Sequence, residues 1–502
     1  MAADHATAAL PVLNRLWGSE GRVIVLKYLD DLRPRLGWRV RWFVVIALAL
    51  SMVGVTGTAK ALTPQLRRYP YLTDTVAGNA TLNWATDQSA STGYATYGAV
   101  GTETCTAHQV NATRTSISVN SVPEYQWKAK LTGLSGNTQY CYRVFLNGAD
   151  LLGADASPAF WKQVPAGSTR TYAFGVMGDW GALNGGTTNL NQANLMSTIA
   201  ASGVRFMIGT GDTGYPSGSQ TNYGDLYQTG TDISTVFGPD FYKKLGATAP
   251  MFNAAGNHGR NGTYLMLWPS AAAAAGSGGT FAMQTYCCVN ATSSASYPSA
   301  WYAFDAGRAR IYILDASWSN SNVGTGTLYS DDYAAHWASG TAERTWLAND
   351  LAAHPGGLKI AVAHFPMYSD NATEPTDSYM HGPGSLGELL SQNGVQLVLN
   401  GHAHIYQRNF KQPGESFVSY TTGGGGATLE PVGSGVPCGG YDAYAVGWSP
   451  TKLKGYACGG AAVPSSAAQV NHFLKVTVSS SSVKVEPTDS TGHVFDPQTY
   501  SF

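Results

Sequence analysis

The fold class predicted for this 502-residue chain is an α/β layered domain preceded by an all-β domain. Three observations predict it. Residues 66–165 alternate apolar and polar positions, as half-buried strands do, with polar turns between them. From Tyr172 the pattern changes to short apolar runs alternating with helical stretches, which argues for a layered sheet with ligands beyond its strand ends. Five of the short runs end in Asp, Asn or His, and four of the five carry a Gly just ahead of that residue.

Residues 1–32 show no clear element. Arg33, Arg35, Arg39 and Arg41 then precede a 14-residue apolar run, Trp42 to Val55, and Ala59-Lys60-Ala61 follows as a small-x-small site. Charge, apolar run and cleavage site in that order predict a secretory signal peptide over residues 1–61, with an extended N-terminal region. The run is short for a membrane span. No stable span is therefore expected after cleavage, and the mature chain, starting near Leu62, is expected outside the cytoplasm. An uncleaved signal anchor is the competing reading.

In the all-β domain, 64–166, strands are expected at 80–86, 126–131 and 139–145. Residues 163–170, with Pro165 and Gly167, read as a linker. The α/β domain is expected over 170–490. Its helices fall at 189–202, 342–354 and 386–393. Its strands fall at 204–208, 311–314, 358–363, 395–399, 417–422, 473–478 and 483–485. Residues 429–467 read as a Gly- and Ser-rich insertion. Gly423–Gly426 is a loop that lets backbone approach a site, or else a flexible turn.

Six cysteines fit an oxidising compartment. Cys105 and Cys141 share the β-domain and Cys438 and Cys458 share the insertion, so they are expected to pair in that way. Cys287 and Cys288 are adjacent, and their pairing stays open. Asn79, Asn111, Asn261, Asn290 and Asn371 begin N-x-T sequons, which matter only in a eukaryotic secretory route. Charged residues are 12% of the chain and the formal net charge is −1, without a basic patch, so nucleic acid is not an expected partner.

The five runs end in Asp179, Asp212, Asn257-His258, His364 and His402-Ala403-His404, and Tyr215 follows Asp212 by three residues. A carboxylate at the end of a buried strand is costly unless a cation meets it. Two Asp, one Asn, three or four His and one Tyr suffice for two adjacent metal ions, with Asp212 a natural bridge. Singly each is a weak signal: Gly-Asp after a strand is usually a turn, and a lone His is usually structural. Five in one order between 179 and 404 are a strong one.

GDWG (178–181), GDTGY (211–215), GNH (256–258), AVAH (361–364) and GHAH (401–404) resemble the five signature blocks of the purple acid phosphatases, a family of the calcineurin-like metallophosphoesterases. The likeness extends over most of residues 64–490. It implies a metallophosphoesterase β-sandwich flanked by helices, preceded by a fibronectin type III-like sandwich that acts as a spacer and docking module. It also implies a dinuclear centre of Fe(III) plus a divalent Fe, Zn or Mn. Asp179, Asp212, Tyr215 and His404 would hold the ferric ion, and Asp212, Asn257, His364 and His402 the divalent one. His258 corresponds to the family histidine that binds phosphate and protonates the leaving alkoxide. His381, in Tyr379-Met-His-Gly-Pro-Gly, corresponds to a second such histidine in mammalian-type members; a surface loop histidine is the other reading. Gly259 and Ala361 depart from the family pattern without removing a ligand.

The chemistry follows from those groups. Phosphate ester hydrolysis needs a strong nucleophile and relief of charge on the phosphoryl group, and two metals about 3.5–4 Å apart supply both, the nucleophile being a metal-bound hydroxide. The expected function is a secreted acid phosphatase acting on small phosphorylated substrates, phosphate monoesters. A phosphodiesterase or nucleotidase of the same superfamily is the alternative, with loops 216–245 and 260–300 deciding. A non-catalytic extracellular binding protein is less consistent with seven ligand positions all filled.

Overall fold

A computed structural model describes residues 63–502, apart from Ala77, 183–188, 228–235, 240–241, 259–261, 269–283, 287–294, 298–300, 317–336, 372 and 435–436. The signal segment, Cys287, Cys288 and the sequons at Asn261 and Asn290 lie outside the described residues.

The first nine strands are β1 Leu66–Thr73, β2 Ala80–Thr86, β3 Gly93–Ala99, β4 His108–Asn111, β5 Thr113–Val119, β6 Val122–Leu131, β7 Gln139–Leu146, β8 Ala149–Asp150 and β9 Ala159–Trp161. They form two antiparallel sheets, β1-β2-β6-β5 and β4-β3-β7-β8, with β9 also paired to β7. Their alternation turns Leu82, Trp84, Trp127, Ala129, Tyr142 and Val144 into one shared core. This period-2 burial is what the sequence pattern predicted. The Cys105–Cys141 disulfide fastens the loop after β3 to β7.

The rest of the chain builds two larger sheets. One has the order β12-β11-β10-β23-β24-β25, from β10 Tyr172–Met177, β11 Met207–Gly209, β12 Met251–Asn253, β23 His472–Val478, β24 Ser482–Asp489 and β25 Gln498–Ser501. Between them in sequence lie β13 Gln284–Tyr286 and β14 Ala295–Tyr297, a separate ribbon. The other large sheet has the order β15-β16-β17-β18-β20-β19-β21-β22. Its strands are β15 Tyr302–Ala306, β16 Ala309–Ile313, β17 Leu358–Val362, β18 Leu397–Asn400, β19 Tyr406–Asn409, β20 Val418–Thr422, β21 Asp442–Ser449 and β22 Lys454–Gly459. Phe174, Val176, Phe206, Ile208 and Leu474 of one sheet meet Phe304, Ile311, Ile360, Val362 and Leu399 of the other in a common core.

Alternate residues face outward to helices. Helix α1, Leu190–Ala201, is capped by Asn189, whose side chain accepts the N–H of Gln192. It covers Met177, Met207 and Met251 with Leu195, Met196 and Ile199. Helices α2, Ala342–Ala353, and α3, Leu386–Gln392, cover Tyr312, Ala361 and Val398 of the second sheet. The result is two sheets face to face with helices on both outer faces. No helix among the described residues is long and apolar enough to cross a membrane.

Three expectations change. The strand expected at 204–208 is shorter and later, Met207–Gly209, because Val204 and Arg205 belong to the turn after α1. The expected insertion 429–467 contains β21 and β22, which complete the edge of the second sheet; flanking Gly and Ser masked the alternation of Asp442–Ser449. Asn371 is buried, with its amide donating to Glu430, so this sequon presents no free acceptor.

The all-β domain docks through polar anchors. Arg68 is fully buried and donates to the carbonyls of Gly224 and Gln220. Arg67 pairs with Glu124 at 3.0 Å and Asp225 at 2.7 Å, and Tyr142 donates to the carbonyl of Ala247.

One buried acidic pair lies where β21 passes under the loop after β17. Asp442 and Asp370 have carboxyl oxygens within 4.8 Å of one another. Gln407 bridges them, accepting the N–H of Asp370 and donating to Asp442. Among the described residues, the second oxygen of each carboxyl has no hydrogen-bond partner. Burial first, then the neighbouring Asp370, pushes Asp442 up to about 8, so Asp442 keeps its proton well above the ordinary carboxylate range. A carboxyl raised on folding contributes stability that is complete below the ordinary carboxylate range and is lost as pH rises to about 8. Melting temperature should therefore decline between about pH 4 and 8, and Asp442→Asn should flatten that decline. Parallel declines in the two proteins, followed by thermal unfolding, would exclude a raised Asp442 carboxyl.

Candidate metal centre

The five motifs leave the carboxyl ends of parallel strands. β10, β11 and β12 run parallel in one sheet, and β17 and β18 run parallel in the other. Asp179 follows β10, Asp212 follows β11, Asn257 follows β12, His364 follows β17, and His402 with His404 follow β18. Parallel strands deliver their ends to one edge of the fold, which is why segments so far apart in sequence meet.

Three of these residues hold backbone conformations that side chains disfavour. Asp179, Asp212 and His402 have φ of 57°, 50° and 70°. Such conformations cost about 1–3 kcal/mol each and concentrate at functional sites. Here they turn the chain sharply off each strand and aim the side chain inward. The turns are stitched together: Asp179 N–H donates to the carbonyl of Gly211 and Trp180 N–H to that of Asp212, both at 3.1 Å. The Gly423–Gly426 loop does approach the site, since Gly425 N–H donates to the carbonyl of Gly178 and Ala427 N–H to that of Asp179. Gly256 is required for a close approach. A Cβ there would strike the Asp212 carboxylate and its backbone nitrogen.

The side chains then converge. Tyr215 Oη lies 3.1 Å from Asp212 Oδ2, 3.3 Å from Asp179 Oδ1 and 3.1 Å from His404 Nε2. His364 Nε2 lies 2.8 Å from Asn257 Oδ1 and 3.4 Å from Asp212 Oδ2. Asp212, His364 and His402 form a cluster whose ligand atoms lie within 4.8 Å of one another. Asp212 thus stands between the Tyr215 group and the His364 group. Every expected ligand is brought to one place, in two overlapping subsets.

Carbonyl oxygens orient the imidazoles. His364 Nδ1 meets the carbonyl of Thr210 at 2.9 Å and His404 Nδ1 meets that of Thr428 at 2.7 Å. A carbonyl only accepts, so each Nδ1 carries hydrogen and each Nε2 is free to bind a metal. His258 N–H donates to Asp212 Oδ1 at 2.7 Å, and its Nδ1 donates to the carbonyl of Pro216 at 2.7 Å. Its ring packs on Tyr215, with centroids 4.6 Å apart. His381 is placed elsewhere. It stacks on Tyr368 and lies near Glu415, and no described contact joins it to the seven converging residues.

The electrostatics fit a cation. Asp179 and Asp212 are almost fully buried, and no lysine or arginine contacts the set among the described residues. Burial alone would raise Asp212, yet the adjacent His364 holds it well below the usual carboxylate range. Burial would lower His364, but Asp212 and then Asp179 bring it up to about 9. His404 is likewise raised to about 9 by Asp179 and Glu430 against its burial. Burial, then Asp212 and Asp179, push the Tyr215 phenol well above its ordinary value. Protons sit on these groups where a metal would displace them. Buried carboxylates, oriented imidazoles, an amide oxygen and a phenol are a donor set that suits hard and borderline metal ions.

The comparisons agree with this geometry. Residues 69–172 match the model for the purple acid phosphatase N-terminal domain, and residues 173–406 match that for calcineurin-like phosphoesterases. The chain belongs to the purple acid phosphatase family. A purple acid phosphatase from yellow lupin (Lupinus luteus) seeds shares the fold with a TM-score of 0.59 at 17% identity, over 88% of this chain and 74% of that one. A predicted phosphoesterase from Streptococcus pneumoniae aligns at a TM-score of 0.25 and 9% identity, over 67% of this chain and 100% of its own. No curated protein matches. Membership makes the protein a metallophosphoesterase hydrolase, and the family implies a dinuclear metal centre.

Sequence reasoning missed the carboxylates around the histidines. Glu430 Oε2 accepts the N–H of His404 at 3.1 Å, and Glu374 Oε2 lies 2.6 Å from His402 Nε2. Glu374 sits in Asn371-Ala-Thr-Glu-Pro, which was legible only as a sequon. The carbonyls of Thr210, Thr428 and Pro216 leave no sequence signal.

Gly256→Ala should leave the fold intact and lower metal content sharply, because the added methyl displaces the Asp212 carboxylate. Elemental analysis of the purified variant checks this; full metal occupancy would show that the approach of Gly256 to Asp212 is not needed.

Proposed function

We propose that the chain is a secreted acid phosphatase that hydrolyses phosphate monoesters at a dinuclear metal centre. One observation carries the reading: the Tyr215 phenol meets Asp179, Asp212 and His404 together. A phenolate is a hard ligand suited to Fe(III). We assign Asp179, Asp212, Tyr215 and His404 to a ferric ion, and Asp212, Asn257, His364 and His402 to a divalent Fe, Zn or Mn. Secretion is supported by two disulfides and by the signal-like run at 33–61.

When bound, the metal pair supplies Lewis acidity toward a phosphoryl oxygen and acidifies water. The residues of the chain do the rest. Asp212 spans both subsets and holds them at one spacing. Asn257, neutral and open to solvent, leaves its side of the site lightly compensated, so that a phosphate oxygen is attracted there. His258 stands half-exposed, anchored through its N–H and its Nδ1, with Nε2 available to carry a proton to the departing alkoxide.

His258→Ala should retain metal and slow turnover by about 10²–10⁴-fold, with the largest losses on alkyl phosphates, whose leaving groups need the proton most. Equal losses on aryl and alkyl substrates would remove His258 from that role. Tyr215→Phe keeps the ring and removes the phenolate. The oxidised wild-type protein should be violet through phenolate-to-iron charge transfer, and the variant colourless with weaker iron binding. A colourless, fully active wild type with stoichiometric Fe(III) would make Tyr215 a packing residue.

A further inference from the structure

Glu374 has no part in the assignments above, yet its place is built. Its Oε2 lies 2.6 Å from Nε2 of His402. His402 belongs to the cluster that would hold the divalent ion, so the carboxylate lies beside that position. Asn371, 2% exposed, fixes the turn that carries Glu374. Its Oδ1 accepts the N–H of Thr373 at 2.6 Å and of Glu374 at 3.1 Å. Its Nδ2 donates to Glu430 Oε2 at 2.7 Å, the oxygen that also accepts the N–H of His404. Thr376 ties the far side of the loop to the carbonyls of Pro366 and Met367, just beyond His364. The loop is therefore anchored to both histidine motifs.

The charged and titratable groups facing Glu374 are His402, His404 and His364, with Glu430 behind. No lysine or arginine contacts this cluster among the described residues. With its side chain 31% exposed, Glu374 places a negative charge at the divalent side, where a phosphoryl group would bind.

We propose that Glu374 is a charge-selecting residue that confines the site to singly charged phosphoryl groups. The proposal rests on the phosphatase reading above and names its substrate form. A phosphate monoester loses its second proton near pH 6, so it carries one charge in acid and two above neutrality. A phosphodiester carries one charge throughout. Repulsion between the half-exposed Glu374 and a second phosphoryl charge, screened by solvent, corresponds to a penalty on the order of 10–100-fold. An acid preference for monoesters then follows from the substrate's own ionisation.

The test uses the metal-loaded full chain and Glu374→Gln, which keeps shape and removes charge. Binding of inorganic phosphate is measured by calorimetry at pH 5 and pH 8, alongside metal content. The kcat/KM ratio for a monoester over a diester is followed across the same range; the ratio cancels titrations of the enzyme itself. Wild type should bind phosphate more weakly at pH 8, and its monoester-to-diester ratio should fall through pH 6. The Gln variant should regain about 10–100-fold in both, with metal content unchanged. An equal fall in both proteins would overturn the proposal. So would loss of the divalent metal from the variant, which would make Glu374 a ligand. Phosphate binding without hydrolysis would remove the phosphatase reading while calorimetry still decides on charge selection; no phosphate binding at either pH would remove both.

Discussion

Two carboxylates, Asp179 and Asp212, are buried at the ends of adjacent parallel strands, met by His404 and His364 but, among the described residues, by no lysine or arginine. Burial of uncompensated negative charge is among the most costly arrangements in a protein, and much of the architecture around them follows from that. The two sheets present parallel strand ends to one edge. The turns there accept left-handed backbone at Asp179, Asp212 and His402. His364 and His404 from the second sheet arrive with their Nδ1 atoms held by carbonyls, leaving Nε2 for a cation.

Close approach is the second constraint. Ligands from two sheets meet only if backbone from one motif passes directly against side chains of another. Gly256 lies against Asp212, and Gly401 against the carboxylate of Asp179. A methyl group at either position would fall on the atoms that the site needs. The glycines that precede ligands are thus explained by tertiary contact between motifs more than by the turns themselves.

Outside the ligand set, the fold spends polar groups on holding loops. Asn371, Glu430 and Thr376 tie the loop after β17 to both histidine motifs. Asp370, Gln407 and Asp442 fasten the same loop to β19 and β21, and the Cys438–Cys458 disulfide closes that edge. The all-β domain contributes Arg67 and Arg68, which anchor the segment 220–225. Apart from those of Thr376, these contacts join segments 20 or more residues apart, and together they anchor the rim of the metal centre.

The sequence by itself determined the seven converging residues, the order of the two domains, three helices to within a residue or two, and both disulfides. The reason is local: apolar runs of period 2 or 3.6 and Gly-flanked Asp, Asn and His leave marks that do not depend on distant partners. Only the tertiary structure decided what had no local mark. The hairpin β21–β22 gains its stability by pairing with β19, so a Gly- and Ser-rich stretch concealed it. Glu374 acquires its place from Asn371 and from His402, 28 residues further along the chain. The carbonyls of Thr210, Thr428 and Pro216 orient histidines up to 154 residues away, and every residue has a carbonyl. His381 shows the converse: a short motif match suggested a site residue, and packing placed it against Tyr368 instead. Residue type announces which chemistry is available, while the crossing of two sheets decides which groups come within reach of one another.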